Sequence, residues 1–92
     1  MTDDEFYRFV GFVGGYEASG GSENSKLFSF TMSDDLGTVR LFSLRCETPN
    51  AMFASMAMIV LTAFYSRPHV RIEVTSFEKV GDTYRVNIIR NV

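Results

Sequence analysis

Apolar and polar residues alternate with a period of two at both ends of the chain, and one long uncharged run separates the two alternating regions. Residues 5–13 (EFYRFVGFV) put Phe6, Arg8, Val10 and Phe12 on one side of an extended chain and Tyr7, Phe9, Gly11 and Val13 on the other. Their Phe, Tyr and Val content favours a strand. Residues 14–25 (GGYEASGGSENS) collect Gly, Ser and Asn around one aromatic, Tyr16, and predict the longest loop. Residues 26–32 then set Phe28, Phe30 and Met32 opposite Leu27, Ser29 and Thr31, and Ser33-Asp34-Asp35-Leu36-Gly37 supplies turn chemistry. Residues 38–46 predict a third strand, with Arg40, Phe42, Leu44 and Cys46 on one face and Val39, Leu41, Ser43 and Arg45 on the other.

The uncharged run is a predicted helix. Thr48 can cap the orphan N–H groups, Pro49 loses no hydrogen bond at the first helical position, and Arg67-Pro68 is the stop. At about 100° per residue, Phe53, Ala57, Val60 and Phe64 form one bulky stripe. Thr48, Ala51, Ser55, Thr62 and Ser66 fall within about 40° of a line on the opposite side. A helix apolar on all sides belongs in the centre of a large protein, in a membrane or at an interface. The chain is too short for the first. The 18 residues from 49 to 66 also fall short of the roughly 20 that a membrane span wants, and no charge asymmetry orients them. An interface is therefore expected, with Phe53, Val60 and Phe64 on the sheet and Ala51, Met52, Ser55, Ile59, Thr62 and Ser66 meeting further copies of the chain.

Beyond the helix, residues 69–75 alternate cleanly, with Val70, Ile72 and Val74 inward and His69, Arg71, Glu73 and Thr75 outward. Gly81-Asp82 makes a two-residue hairpin turn, and residues 83–90 predict a last strand in which Tyr84, Val86 and Ile88 alternate with Arg85, Asn87 and Ile89. The predicted fold is mainly β with one helix, in the order strand, strand, strand, helix, strand, strand. With 92 residues it is a single domain, residues 1–92, that buries about 60 to 65% of its unfolded surface.

Composition narrows the chemistry. A formal charge of −2 and a sequence pI near 5.2 give no positive field to gather polyanions, which disfavours nucleic acid. Core packing accounts for the strand aromatics better than a base-stacking groove, which leaves a single-stranded nucleic-acid binder as an alternative class. Cys46 is the lone cysteine and fits a reducing compartment, the cytoplasm by default. Met1-Thr2-Asp3-Asp4-Glu5 is the reverse of a basic signal-peptide start. Cys46 with His69 is the one nucleophile–base pair available to a small thiol enzyme, without a family signature around either. His69 has no Cys or second His at ligand spacing, so no metal site and no cofactor is expected. Asp34-Asp35 lacks the calcium-loop pattern, and the apolar centre of Gly11-Phe12-Val13-Gly14 is unsuited to clamping a phosphate. What survives as a binding candidate is the outward row His69, Arg71 and Glu73 with Tyr16.

The predicted element order is that of small five-stranded OB-type barrels with the helix between the third and fourth strands. Phe64-Tyr65-Ser66-Arg67-Pro68-His69-Val70-Arg71-Ile72-Glu73-Val74, at the end of residues 50–74, resembles a stretch in the receptor-binding B subunits of bacterial toxins with one A and five B chains. The likeness is to the subtilase cytotoxin and typhoid toxin type, in which a helix leads through a short turn into a V-R-I-x-V strand. That resemblance implies an OB-fold, a ring of five with the helices at the centre, secretion, and glycan binding without catalysis. No sugar-contacting residue is carried across. The expected function is a non-enzymatic homo-oligomeric binding or assembly module that recognises a glycan or a protein.

Overall fold

The computed structural model describes residues 7–19, 27–45, 50–66 and 70–92. Three strands come first: β1 (Tyr7–Ser19), β2 (Leu27–Ser33) and β3 (Val39–Arg45). The helix α1 (Asn50–Tyr65) follows, and four short strands complete the chain: β4 (Ile72–Ser76), β5 (Glu78–Val80), β6 (Thr83–Arg85) and β7 (Ile88–Asn91). They form one sheet in the order β5-β6-β3-β2-β1-β4-β7, curled into a half-barrel. The β3–β6 pair is parallel and the other pairs are antiparallel.

The curl follows from β1, which serves two neighbours in turn. Tyr7 to Gly11 pair with β4, whereas Phe12 to Ser19 pair with β2, and the register shifts between Val13 and Gly15. The handover brings β1 against the end of β2 so closely that a Cβ on Gly11 would strike the Ser33 carbonyl. Alternation then does the rest. Phe28, Phe30 and Met32 of β2, Phe42 and Leu44 of β3, and Ile72 and Val74 of β4 all point to the inner face and are buried. Val60 and Ala63 of α1 close this core, with Phe53, Met56, Ala57, Ile59, Leu61 and Phe64 packed against it.

Two expectations are corrected. The predicted loop of residues 14–25 is strand as far as Ser19. Its glycines accommodate the register shift beside Thr31, and the Tyr16 ring stacks on Phe28 at 5.7 Å, which anchors the strand past the shift. Among the described residues, the region after the helix holds four strands rather than two, so the sheet has seven strands, not five, and the element order differs accordingly. The strand predicted over residues 69–75 runs to Ser76, β5 follows Phe77 in a stretch for which no strand was predicted, and the strand predicted over residues 83–90 divides at Val86-Asn87. There the Val86 amide donates to the Ser43 carbonyl on β3 at 2.9 Å and the Asn87 amide donates to the Thr75 carbonyl on β4 at 2.9 Å. The chain changes neighbours within two residues and its alternation slips, so Ile89 is buried and Ile88 faces out. The Gly81-Asp82 turn stands where predicted, with Gly81 at φ +62° and Val80 paired to Thr83. Among the described residues, no helix is long and apolar enough to cross a membrane.

The β2–β3 turn is organised by Asp34. Its Oδ1 accepts from the Leu36 and Thr38 amides at 2.9 and 3.0 Å, and its Oδ2 accepts from Arg40 Nη1 at 3.2 Å. The Thr38 amide foremost, with help from the Arg40 guanidinium and the Leu36 amide, holds the Asp34 carboxyl below its ordinary 3.8, against a smaller opposing effect of burial. A lowered carboxyl contributes stability that is complete above the ordinary value and lost as pH falls through the lowered one. A carboxyl-carbon NMR titration is expected to place Asp34 below 3.8, and a midpoint at or above it would contradict this account. Gly11→Ala is expected to destabilise the fold by about 1–3 kcal/mol in urea denaturation, against an unchanged midpoint if the close approach is unimportant.

Candidate interaction site

Helix α1 carries no charged residue. It has no acid in its first turn and no base in its last, so neither end complements the helix dipole. At its C-terminal end the Ser66 hydroxyl donates to the Thr62 carbonyl at 2.6 Å, satisfying one orphan acceptor. Because Val60 and Ala63 face the core, helical spacing turns Ser55, Met58, Thr62 and Tyr65 outward together. Met58 is 64% and Tyr65 62% exposed. The result is an uncharged stripe along the outer side of the helix.

The stripe ends in a pair of tyrosines. The Tyr16 and Tyr65 hydroxyls lie 2.8 Å apart and their rings meet edge to face at 6.2 Å. Tyr16 also stacks on Phe28 and meets the edge of Phe64, so the pair ties the far half of β1 to the end of α1. The hydrogen bond with Tyr16 is the main reason that the Tyr65 phenol is held above its ordinary 10.0.

Of the residues expected at a subunit interface, Ser55 and Thr62 are exposed on this stripe, and Ser66 is half-buried beyond its end. Ile59 is half-buried and packs against the core. The side chains of Ala51 and Met52 lie outside the described residues. The small-residue criterion passed over Met58, although helical phase puts it within about 60° of Ser55 and Thr62. Tyr65 follows Met58 by seven positions on the same side.

The residues expected to bind ligand are spread along the sheet. Glu73 lies opposite Val10 of β1, where it accepts two hydrogen bonds from Arg90 at 2.6 and 2.8 Å and sits 3.8 Å from Arg8. Arg71 is bonded to Asp35 at 2.8 Å, with its guanidinium 5.3 Å from the centre of the Phe12 ring. Tyr16 stands four residues further along β1, past the register shift. His69 lies outside the described residues, as does Cys46 of the nucleophile–base pair. No three metal-ligating side chains come together among the described residues.

A second exposed apolar patch occupies the outer face of the other sheet half. Val39 and Leu41 project from β3, and Val80 from β5, with Thr83 between Leu41 and Val80 in the cross-strand row. Sequence reading placed Val39 and Leu41 on one face of β3 but gave that face no role.

No protein-family model matches the chain, and no curated protein matches it.

The tyrosine pair makes a direct prediction. Ultraviolet titration is expected to place the Tyr65 phenol above 10.0, and Tyr16→Phe to bring it back toward that value. Equal titration in both proteins would contradict the hydrogen bond. The raised phenol stabilises the fold below its ordinary pKa, and the contribution is lost as pH rises through the higher one.

Proposed function

We propose that the protein is a non-catalytic assembly module that forms a homo-oligomer through the outer stripe of α1 and presents its sheet surfaces to a glycan or protein ligand. The observation that carries this reading is the uncharged stripe of Ser55, Met58, Thr62 and Tyr65. Exposed apolar surface of this kind is rimmed by polar residues where it marks an interaction site, and each large side chain fully covered contributes about 1.5–3 kcal/mol. A second copy is the natural cover, because the stripe offers no charge to select a different partner.

The patch at Val39, Leu41 and Val80 lies on the outer face of the sheet, whereas α1 packs on its inner face. Two dissimilar apolar patches suit head-to-tail contacts that close into a ring better than a single self-complementary contact. In this proposal the half-barrel is an OB-type barrel whose last two strands are each broken once, at Phe77 and at Val86-Asn87. The ring then has five subunits, as the likeness to toxin B chains implies. Glycan recognition rests on that likeness alone.

Native mass spectrometry at micromolar concentration tests the assembly. A closed oligomer is expected, with Thr62→Arg and Met58→Arg shifting it toward the single-chain mass. A folded single chain in the unaltered protein, or variants of unchanged mass, would contradict the proposal.

A further inference from the structure

A groove of about 260 Å³ opens on the outer face of the β1-β4-β7 half of the sheet, lined by Arg8, Thr75, Phe77, Ile88 and Arg90. Two cross-strand rows build it: Arg8, Thr75 and Ile88 lie side by side, and Val10, Glu73 and Arg90 lie side by side next to them. The neighbouring Val74 and Ile89 point the other way into the core shared with α1, so the groove and the helix occupy opposite faces of these strands. Ile88 is 45% and Phe77 57% exposed, large apolar surfaces beside a cationic rim. The slip in alternation at Val86-Asn87 is what turns Ile88 outward into this groove.

The charged side of the groove is arranged around Glu73, whose side chain is 14% exposed. Arg90 approaches it with Nε and Nη2, both donating to Oε1, while its side chain stays 65% exposed. Nη1 of Arg90 has no hydrogen-bond partner among the described residues, so a fixed guanidinium edge is presented beside apolar walls. A planar guanidinium edge matches a carboxylate in both shape and charge. The Glu73 carboxylate under the same guanidinium opposes a doubly charged phosphate more strongly than a singly charged acid. The volume lies just below the roughly 300 Å³ at which pockets for drug-sized ligands begin.

We propose that this groove binds a small free carboxylate carrying an apolar body, with the apolar part on Phe77, Ile88 and Thr75 and the carboxylate on Arg90. The site is independent of the helix-mediated assembly, since none of its residues is on α1.

The test uses the unaltered protein and three probes, octanoate, 1-octanol and acetate, followed by amide NMR shifts. Octanoate is expected to shift the amides of Thr75, Phe77, Ile88 and Arg90, with octanol and acetate each weaker by about tenfold or more, since one lacks the charge and the other the body. Arg90→Gln is expected to weaken octanoate about tenfold toward the octanol value. Octanol binding as well as octanoate would overturn the proposal. So would octanoate shifts confined to residues 53–65, or none up to its solubility limit. The comparison of probes on the unaltered protein decides the matter even where Arg90→Gln disturbs the Glu73 network.

Discussion

Water gains little from the outer side of α1. Ser55 and Thr62 are the polar groups of its stripe, Met58 and Tyr65 the bulk, and no charge lies on either flank from Asn50 to Ser66. A helix of that kind is stabilised by what it packs against rather than by its own surface. One side is provided for: Val60 and Ala63 are sealed into the half-barrel, with Phe53 and Phe64 beside them. The other side sets the requirement from which the proposed assembly follows, because it offers nearly the same chemistry to solvent as to a neighbouring chain.

The sheet is what places that helix. β1 couples both halves, paired to β4 through Gly11 and to β2 beyond it, so the inner face it shares with both neighbours curls around one core. Tyr16, beyond the register shift, reaches α1 through Tyr65 and Phe64. At the opposite edge Val86 and Asn87 perform a similar handover between β3 and β4. Both handovers expose something as they solve a backbone problem. The first puts a phenol pair at the end of the helix, and the second turns Ile88 out beside Arg90.

Much of this was legible in the chain. Period-two alternation put Ile72 and Val74 inward and grouped Phe28 with Phe30, and Phe42 with Leu44, on the faces of β2 and β3 that are buried, and the uncharged run marked α1 nearly to its ends. Composition misled at residues 14–19, because Gly and Ser there accommodate a shifted register whose ordering comes from Tyr16 packing on Phe28, a long-range contact. Alternation also failed across residues 83–90. The alternation slips by one residue at Val86-Asn87, which reverses every later side chain, and the cause is hydrogen bonding to two different strands, which no local pattern records. Arg71 and Glu73 were readable as outward-facing but not as members of separate ion pairs with Asp35 and with Arg90. The groove around Arg90 was hidden for the same reason: its five lining residues come from β1, β4, β7 and the Phe77 break, and they meet only in the folded sheet.

The central claim is that the outer stripe of α1 is dry in the working protein. Relaxation of side-chain NMR signals by a soluble paramagnetic agent reads this directly at Met58, with Val60 in the core and Leu36 in the exposed turn as internal standards. The account predicts that the Met58 methyl is shielded nearly as well as Val60 in a particle heavier than one chain. A Met58 methyl relaxed as strongly as Leu36, in a stable particle of single-chain mass, would contradict it.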